Sequence, residues 1–386
     1  MKSLIYIGMD VHKESYSLCS YLPSLGMFFG ETKIDANPAL IKDYIKEIKR
    51  SLENKGIKET EFVTCYEAGC LGFSLYKELT KHNIKCKIVA PTTLAKEPGS
   101  SKKKTDRKDA KMLARNLAFG TCSFVHIPDE IDQETREYVR MRMAHKKALK
   151  KVKQQILSFT LRCGYKYNLE GKRDYWTKVH IEWLKSLEMS DFLKDILNEY
   201  MDTLERLIEK IDRLEGKILE RSEEERYKAS TDHLACLRGL TKATALTILS
   251  EIGDFNRFAT PNELCSYLGM VPGENSSGDK NNHLGITKQG NSIVRTQLIE
   301  SAQSLVRGDQ SRKSKALKAR QKGQPSEVIN YSDKAAYRLI NRYHHLIKRG
   351  VRKNKAITAI ARELACFIWG LMTNNINRRN GGLARA

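Results

Sequence analysis

The way the hydrophobic period changes along the first 90 residues constrains this chain's fold more than any other feature. LIYIGMD (4–10), YSLCSYL (16–22) and MFFGETKI (27–34) alternate apolar and polar residues, with short turn-like breaks between them. That pattern predicts three strands of an antiparallel meander. PALIKDYIKEIKRSLE (38–53) then sets Leu40, Ile41, Tyr44, Ile45 and Ile48 on one helical face. A strand at EFVTCYE (61–67), a helix at LGFSLYKELTKH (71–82), a strand at IKCKIVA (84–90) and a helix from about residue 105 follow. The last two strands can join the sheet in parallel through helical crossovers, so this part is α/β.

Strand signals vanish between residues 130 and 230. Leu204, Leu207, Ile208, Ile211, Leu214 and Ile218 recur at helical spacing in a heavily charged background, which predicts a helical hairpin or coiled coil. Beyond residue 230 the pattern is compact and helical again. AITAIARELACFIWGLM (356–372) is apolar on much of its surface and reads as core or as a subunit contact. The expected class is α/β plus all-α, with boundaries at 1–128, 129–230, 231–320 and 321–386.

Charge narrows the partners. The 386 residues carry 68 Lys and Arg against 46 Asp and Glu, a net charge of +22 spread along the whole chain. Each phosphate neutralised by Lys or Arg releases condensed counterions, so nucleic acid is the expected partner. No apolar run approaches the roughly 20 residues a membrane span needs. The start lacks a signal-peptide core, so the expected location is the cytoplasm. Nine cysteines are scattered without a CxxC and read as reduced thiols. RMRMAHKKALKKVK (140–153) carries seven cations and no acid. This face, with Arg140, Arg142, Lys146, Lys147 and Lys150, is a candidate to track a phosphate backbone, against the plainer reading of a solvated charge run.

One basic stretch is anomalous. In KKKTDRKDAKMLAR (102–115), Asp106 and Asp109 sit among seven cations. At i and i+3 they share a helical face and can approach one metal ion together. Asp10 ends the first strand just past Gly8, and Glu67 ends the fourth. If those strands are neighbours, both acids emerge at one edge of the sheet, where the helix brings the other two. Four converging carboxylates repel unless divalent cations lie between them. Hard oxygen ligands with open positions suit Mg²⁺, and two such ions can hold the attacking and leaving oxygens of a phosphodiester. Lys102, Lys103, Lys104, Arg107 and Lys108 would then hold the anionic strand at the metals.

GMDVHK around Asp10, YEAG around Glu67 and TDRKDA around Asp106 and Asp109 resemble the DEDD motif of a bacterial insertion-sequence transposase family. The N-terminal domain of that family resembles the Holliday-junction resolvase RuvC, an RNase H-like fold. The resemblance continues past residue 230. LRGLTKATALTILSEIGDFNRF (237–258) reads as a helix, a tight turn at Gly239 and a second helix closed at Gly253. This is the form of a helix-hairpin-helix that binds phosphate through turn amides, with Lys242 beside the turn and Thr241 where such hairpins usually have a second glycine. A purely structural helical turn is the alternative.

SSGDK (276–280) followed by GITKQGN (285–291) resembles the family's second signature, which contains a serine regarded as the nucleophile. Ser277, directly before Gly278, matches best, and Ser276 is the fallback. Lys280, Lys288 and Arg295 are placed to offset charge on a phosphorane-like transition state. The resemblance implies that Ser277 attacks a DNA phosphate and forms a covalent phosphoserine, while Asp10, Glu67, Asp106 and Asp109 position Mg²⁺ at the same composite site. It also implies a structured noncoding bridge RNA that pairs with donor and target DNA, and a homodimer assembling to a tetramer. His12, His283 and the His344–His345 pair are proton-transfer candidates by residue type only. Two other classes remain open at this point. One is a metal-dependent junction resolvase or nuclease that activates water and leaves the serine structural. The other is a noncatalytic nucleic-acid-binding scaffold.

Overall fold

A computed structural model describes residues 2–94, 105–167, 174–274, 283–307 and 311–376. The chain divides into two compact units, Met1–Ile127 and Pro128–Ala386.

The first unit is built on a five-stranded sheet. Strands β1 (Ser3–Val11), β2 (Ser15–Leu22) and β3 (Met27–Asp35) form the expected meander. Helix α1 (Pro38–Asn54), strand β4 (Thr60–Glu67), helix α2 (Ser74–Lys81), strand β5 (Cys86–Val89) and helix α3 (Asp106–Phe119) follow. The strand order is β3-β2-β1-β4-β5, with β4 parallel to β1 and β5 parallel to β4. This mixed sheet with its helical crossovers is the RNase H-like arrangement.

Alternation along β1 explains the two layers. Ile5, Ile7 and Met9 are fully buried on one face, packed with Ile41, Ile48 and Leu52 of α1 and Leu75 and Leu79 of α2. Each such aliphatic side chain contributes about 2 kcal/mol by leaving water. Asn37 caps α1 by accepting from Ala39 N at 3.0 Å, and Tyr44 ties that helix to the sheet by donating to Gly30 O at 2.8 Å. Helix α2 starts three residues later than its periodicity indicates, because Gly72 takes a left-handed turn at φ +56°.

On the opposite face, Cys65, Leu113 and Leu117 bury α3 against the sheet. Gly8 makes that seating tight. A Cβ built there would lie 2.0 Å from Ala110 O and 2.4 Å from Ala114 N. Only a residue without a side chain lets the α3 backbone rest directly on β1.

The second unit is helical, apart from one short hairpin. Helix α4 (Glu130–Arg162) and helix α6 (Asp191–Ser222) pair lengthwise, with α5 (Lys178–Ser186) between them in sequence. Leu197, Met201, Leu204, Ile211 and Ile218 are the buried seam of α6, whereas Ile208 faces outward, 39 % exposed. The expected coiled-coil-like pairing thus uses a narrower stripe than the full apolar pattern.

Helices α7 (Glu225–Ala235), α8 (Lys242–Ile252) and α9 (Pro261–Tyr267) come next, then strands β6 (Pro272–Glu274) and β7 (His283–Ile286). Helices α10 (Ser292–Leu305), α11 (Lys315–Gln321), α12 (Ser326–Lys348) and α13 (Lys353–Met372) complete the described chain. Of the two readings of the apolar segment 356–372, the structure selects core. Ile357, Ile360, Leu364 and Ile368 of α13 sit in the main cluster with Leu298 of α10 and Leu339 of α12. Among the described residues, no helix is long and apolar enough to cross a membrane.

Around Gly239 the chain forms a helix, a turn and a second helix closed at Gly253, with the first helix placed earlier than the sequence indicates. The preceding helix, α7, ends at Ala235, before the predicted segment begins. Gly239 has φ +93°, and a Cβ there would lie 2.4 Å from Ser301 O, so the missing side chain admits the α10 backbone. Thr241 is the N-cap of α8, its hydroxyl accepting from Thr244 N. The turn residues are thereby accounted for by packing and capping.

Candidate active site

The site in the first unit follows from pleat and register. Lys33 pairs with Ser17, Ser17 with Asp10, and the β1–β4 register runs to Met9 and Tyr66, so Asp10 and Glu67 are the next residues across. Residues in one such row point to one face of a sheet. The face is that of α3: Lys33 reaches Asp106 of that helix, and Cys65, two residues before Glu67, donates its thiol to Leu113 O at 3.6 Å. Gly8, Asp10 and His12 alternate along β1 and just past its end, so the residue that seats α3 also sets the next two toward the start of that helix.

At that end the side chains converge. His12 Nε2 lies 3.3 Å from Asp10 Oδ2 and 3.9 Å from Asp106 Oδ1. Lys33 Nζ donates to Asp106 Oδ2 at 3.3 Å. Ligand atoms of Asp10, His12 and Asp106 all lie within 4.8 Å of one another. His12 is held at the β1–β2 turn by its backbone N–H, which donates to Ser15 O at 2.9 Å. Asp106 and Asp109 occupy the first turn of α3, where the helix dipole favours negative charge.

Electrostatics distinguish the two best-placed acids. Burial raises the pKa of Asp10. His12 pulls it back, and the charges of Asp109 and Asp106 raise it further. Asp106 is lowered, chiefly by the hydrogen bond from Lys33. An enclosed carboxylate destabilised by two neighbouring carboxylates, with oxygens and an imidazole nitrogen turned to one point, is a donor set that fits a divalent cation.

Asp10 and Asp106 are therefore in the close group. Asp109 stands outside it but near enough for its charge to act on Asp10. Glu67 also stands outside the group, one strand over and in register. Two residues of the cluster lack a sequence-based role: Lys33, and His12, which was a candidate by type alone. His12 was legible as the third term of G-x-D-x-H on a strand. Lys33 required the meander's register.

The basic candidates divide. Arg107 and Lys108 are exposed on α3, and Lys147 and Lys150 on α4. Lys146 is exposed too, 4.0 Å from Glu215. Four others have structural partners within the chain. Arg142 is buried and held by Glu215. Arg140 grips Glu251 at 2.7 and 3.0 Å. Lys242 is paired with Glu223 and, at 2.6 Å, with Asp232. Arg295 donates to Leu268 O at 2.7 Å and to Gln289 O at 3.3 Å. Lys288 is exposed in a left-handed conformation at φ +57°. Lys102, Lys103, Lys104, Ser276, Ser277 and Lys280 lie outside the described residues.

Comparison with known proteins agrees with this architecture. Residues 7–162 match a family model for DEDD transposases of the IS110 type, and residues 231–317 match the model described as "Transposase IS116/IS110/IS902 family". A putative transposase, y4qE, of Sinorhizobium fredii is 34 % identical over 369 residues, covering 95 % of this chain and 88 % of the relative. The transposase for insertion sequence element IS1533 of Leptospira borgpetersenii is 30 % identical over 359 residues, covering 90 % and 97 %. The transposase for element IS1111A of Coxiella burnetii is 24 % identical over 389 residues, covering 99 % and 93 %. The chain belongs to the IS116/IS110/IS902 family of insertion-sequence transposases, enzymes that cleave and transfer DNA strands.

Proposed function

We propose that this transposase is an RNA-guided, Mg²⁺-dependent recombinase that cuts and rejoins donor and target DNA through a covalent phosphoserine on Ser277. The observation that carries the metal part is the convergence of Asp10, His12 and Asp106 at the start of α3. Asp10 and Asp106, with Glu67 and Asp109 beside them, would hold the ions, two in number. Bound Mg²⁺ supplies charge neutralisation and polarisation at the reacting phosphodiester. Lys33 keeps Asp106 ionised and oriented, and the exposed Arg107 and Lys108 hold the strand near it.

The Ser277 part rests on the family resemblance of SSGDK and GITKQGN. The serine Oγ–P bond forms as a P–O bond to sugar breaks. A sugar hydroxyl of the strand to be joined then displaces the serine, which recovers its proton. Energy of the phosphodiester is retained throughout, so strand exchange needs no nucleotide cofactor. Guide pairing leaves the protein to recognise backbone and shape, a task suited to Lys146, Lys147 and Lys150 on α4 and to a charge of +22. Exchanging several strands requires several active sites, hence a dimer that assembles to a tetramer.

The test combines purified protein, the flanking noncoding RNA, paired DNA sites and Mg²⁺. Asp106→Ala or Asp109→Ala should abolish recombination while leaving salt-sensitive nucleic-acid binding in place. Ser277→Ala should remove the protein-linked strand seen on denaturing gels. Full recombination by either aspartate variant would remove the metal role, and a linked strand in Ser277→Ala would reassign the nucleophile. Full recombination after ribonuclease treatment would exclude the guide.

A further inference from the structure

We infer that His12 is itself a metal ligand, which makes the centre at the start of α3 a mixed nitrogen and oxygen site that binds Mn²⁺ in preference to Mg²⁺. This rests on the reading above that Asp10 and Asp106 hold a divalent ion. The geometry is the argument. The same imidazole nitrogen, Nε2, faces both carboxylates, at 3.3 Å from Asp10 and 3.9 Å from Asp106. Those two acids come from different elements, the end of β1 and the first turn of α3, and a third donor placed between them is what a single ion requires.

The backbone prepares the placement. His12 follows Asp10 by two residues, so it falls on the same side of the strand direction, and its N–H is pinned to Ser15 O. Its side chain is 56 % exposed against 20 % for Asp10. It stands at the mouth, where an arriving ion and its waters have access, while Asp10 forms the floor.

Ligand chemistry then sets the preference. Mg²⁺ takes oxygen donors in strict octahedral geometry and gives up its waters reluctantly. Imidazole nitrogen favours the first-row transition ions over Mg²⁺. Two carboxylates alone discriminate weakly between Mg²⁺ and Mn²⁺, and one nitrogen shifts the balance toward Mn²⁺.

The experiment is Mn²⁺ titration of the full chain without DNA or RNA, read by the electron paramagnetic resonance signal of free Mn²⁺. Pulsed measurements on the same samples detect nitrogen bonded to the bound ion. Wild type should show directly coordinated ¹⁴N, replaced by a ¹⁵N signal when histidine is ¹⁵N-labelled. His12→Gln should lose that signal and about tenfold in Mn²⁺ affinity, while Mg²⁺ affinity, measured by competition, changes by less than about threefold. His12→Asp should recover Mn²⁺ binding without nitrogen coupling and with the preference for Mn²⁺ over Mg²⁺ reduced. Nitrogen coupling that survives in His12→Gln, or equal Mn²⁺ affinities in wild type and His12→Gln, overturns the ligand assignment. If Asp106→Asn still abolishes Mn²⁺ binding in that case, the carboxylate reading stands. Wild type that binds neither ion overturns both.

Discussion

Two acidic side chains, one in each unit, have opposite surroundings. In the helical unit, Glu251 of α8 is 1 % exposed, and its carboxylate receives Arg140 at two points and Asn291 Nδ2 at 2.9 Å. The hydrogen bond to Glu251 in turn raises the pKa of Arg140. The half-exposed Glu215 meets the buried Arg142 through one carboxylate oxygen. In the sheet unit Asp10 is only partly enclosed, its side chain 20 % exposed, yet burial and two further aspartates act against its charge, and an exposed imidazole acts for it. Glu251 is closed by a cation of its own chain. On the proposed metal-binding reading, a cation from outside would complete the compensation of the Asp10 charge. The contrast separates a carboxylate that builds the fold from one that the fold holds ready.

The largest effect that can break this contrast is expected at Arg140. Arg140→Leu leaves the Glu251 carboxylate buried with Asn291 as its remaining side-chain donor among the described residues, and removing one partner of such a pair costs about 3 kcal/mol. Urea unfolding of the whole chain should show the loss as a lowered midpoint. A midpoint within error of wild type would mean that Arg140 does not hold Glu251 in solution, and Glu251 would no longer serve as the compensated case.

Much of this was legible before any coordinates, and the exceptions have physical causes. The β1–β2–β3 meander, the parallel addition of β4 and β5 and the carboxylates at strand ends follow from period and order, which are local properties. The i, i+3 spacing of Asp106 and Asp109 is local too, and so is the apolar seam of α6. What needed the structure was register. Lys33 lies far from Asp106 in sequence and reaches it only because Ser17 sits between Lys33 and Asp10 in one row of the sheet. Gly8 is an unremarkable glycine until α3 is laid across it. The cations of α4 show the same limit in reverse. RMRMAHKKALKKVK reads as one basic face, but helical rotation turns Arg142 into the α6 contact and leaves Lys147 and Lys150 outside. Composition counts charges, whereas pairing depends on which element lies opposite.

A buried group of the helical unit with neither arrangement sharpens the comparison at intermediate size. His180 of α5 is fully buried among Tyr167, Tyr175 and Trp183; its Nδ1 accepts from Trp176 N at 3.2 Å, and its Nε2 has no hydrogen-bond partner among the described residues. Burial lowers its pKa below the usual 6.5. The native ring is thus neutral where the unfolded ring takes a proton. Stability from this site is complete above pH 6.5 and declines as pH falls through that value, until the native ring is protonated as well. The slope in that window is at most about 1.4 kcal/mol per pH unit. His180→Phe should flatten the fall in urea midpoint between pH 7.5 and 5.5, followed by tryptophan fluorescence. Identical slopes in the two proteins would show that His180 is protonated without cost.

The smallest expected effect is the most diagnostic. Asp10→Asn keeps the shape of the side chain and removes a charge that its surroundings disfavour. With metal chelated, the variant should be as stable as wild type or more so, by no more than about 1 kcal/mol, because relief of desolvation and of like-charge repulsion at a partly solvated site is offset by the lost charge contact with His12. Adding Mg²⁺ or Mn²⁺ should reverse the order. A ligand that binds only the native state adds RT ln(1 + [L]/Kd), about 2.7 kcal/mol at a hundredfold excess over Kd, and Asp10→Asn forfeits most of it. Thermal unfolding of both proteins with and without the ion reads the sign directly. A variant clearly less stable than wild type under chelation would place Asp10 with Glu251, as a carboxylate that the native structure already satisfies. The like charges of Asp106 and Asp109 would then need a different explanation.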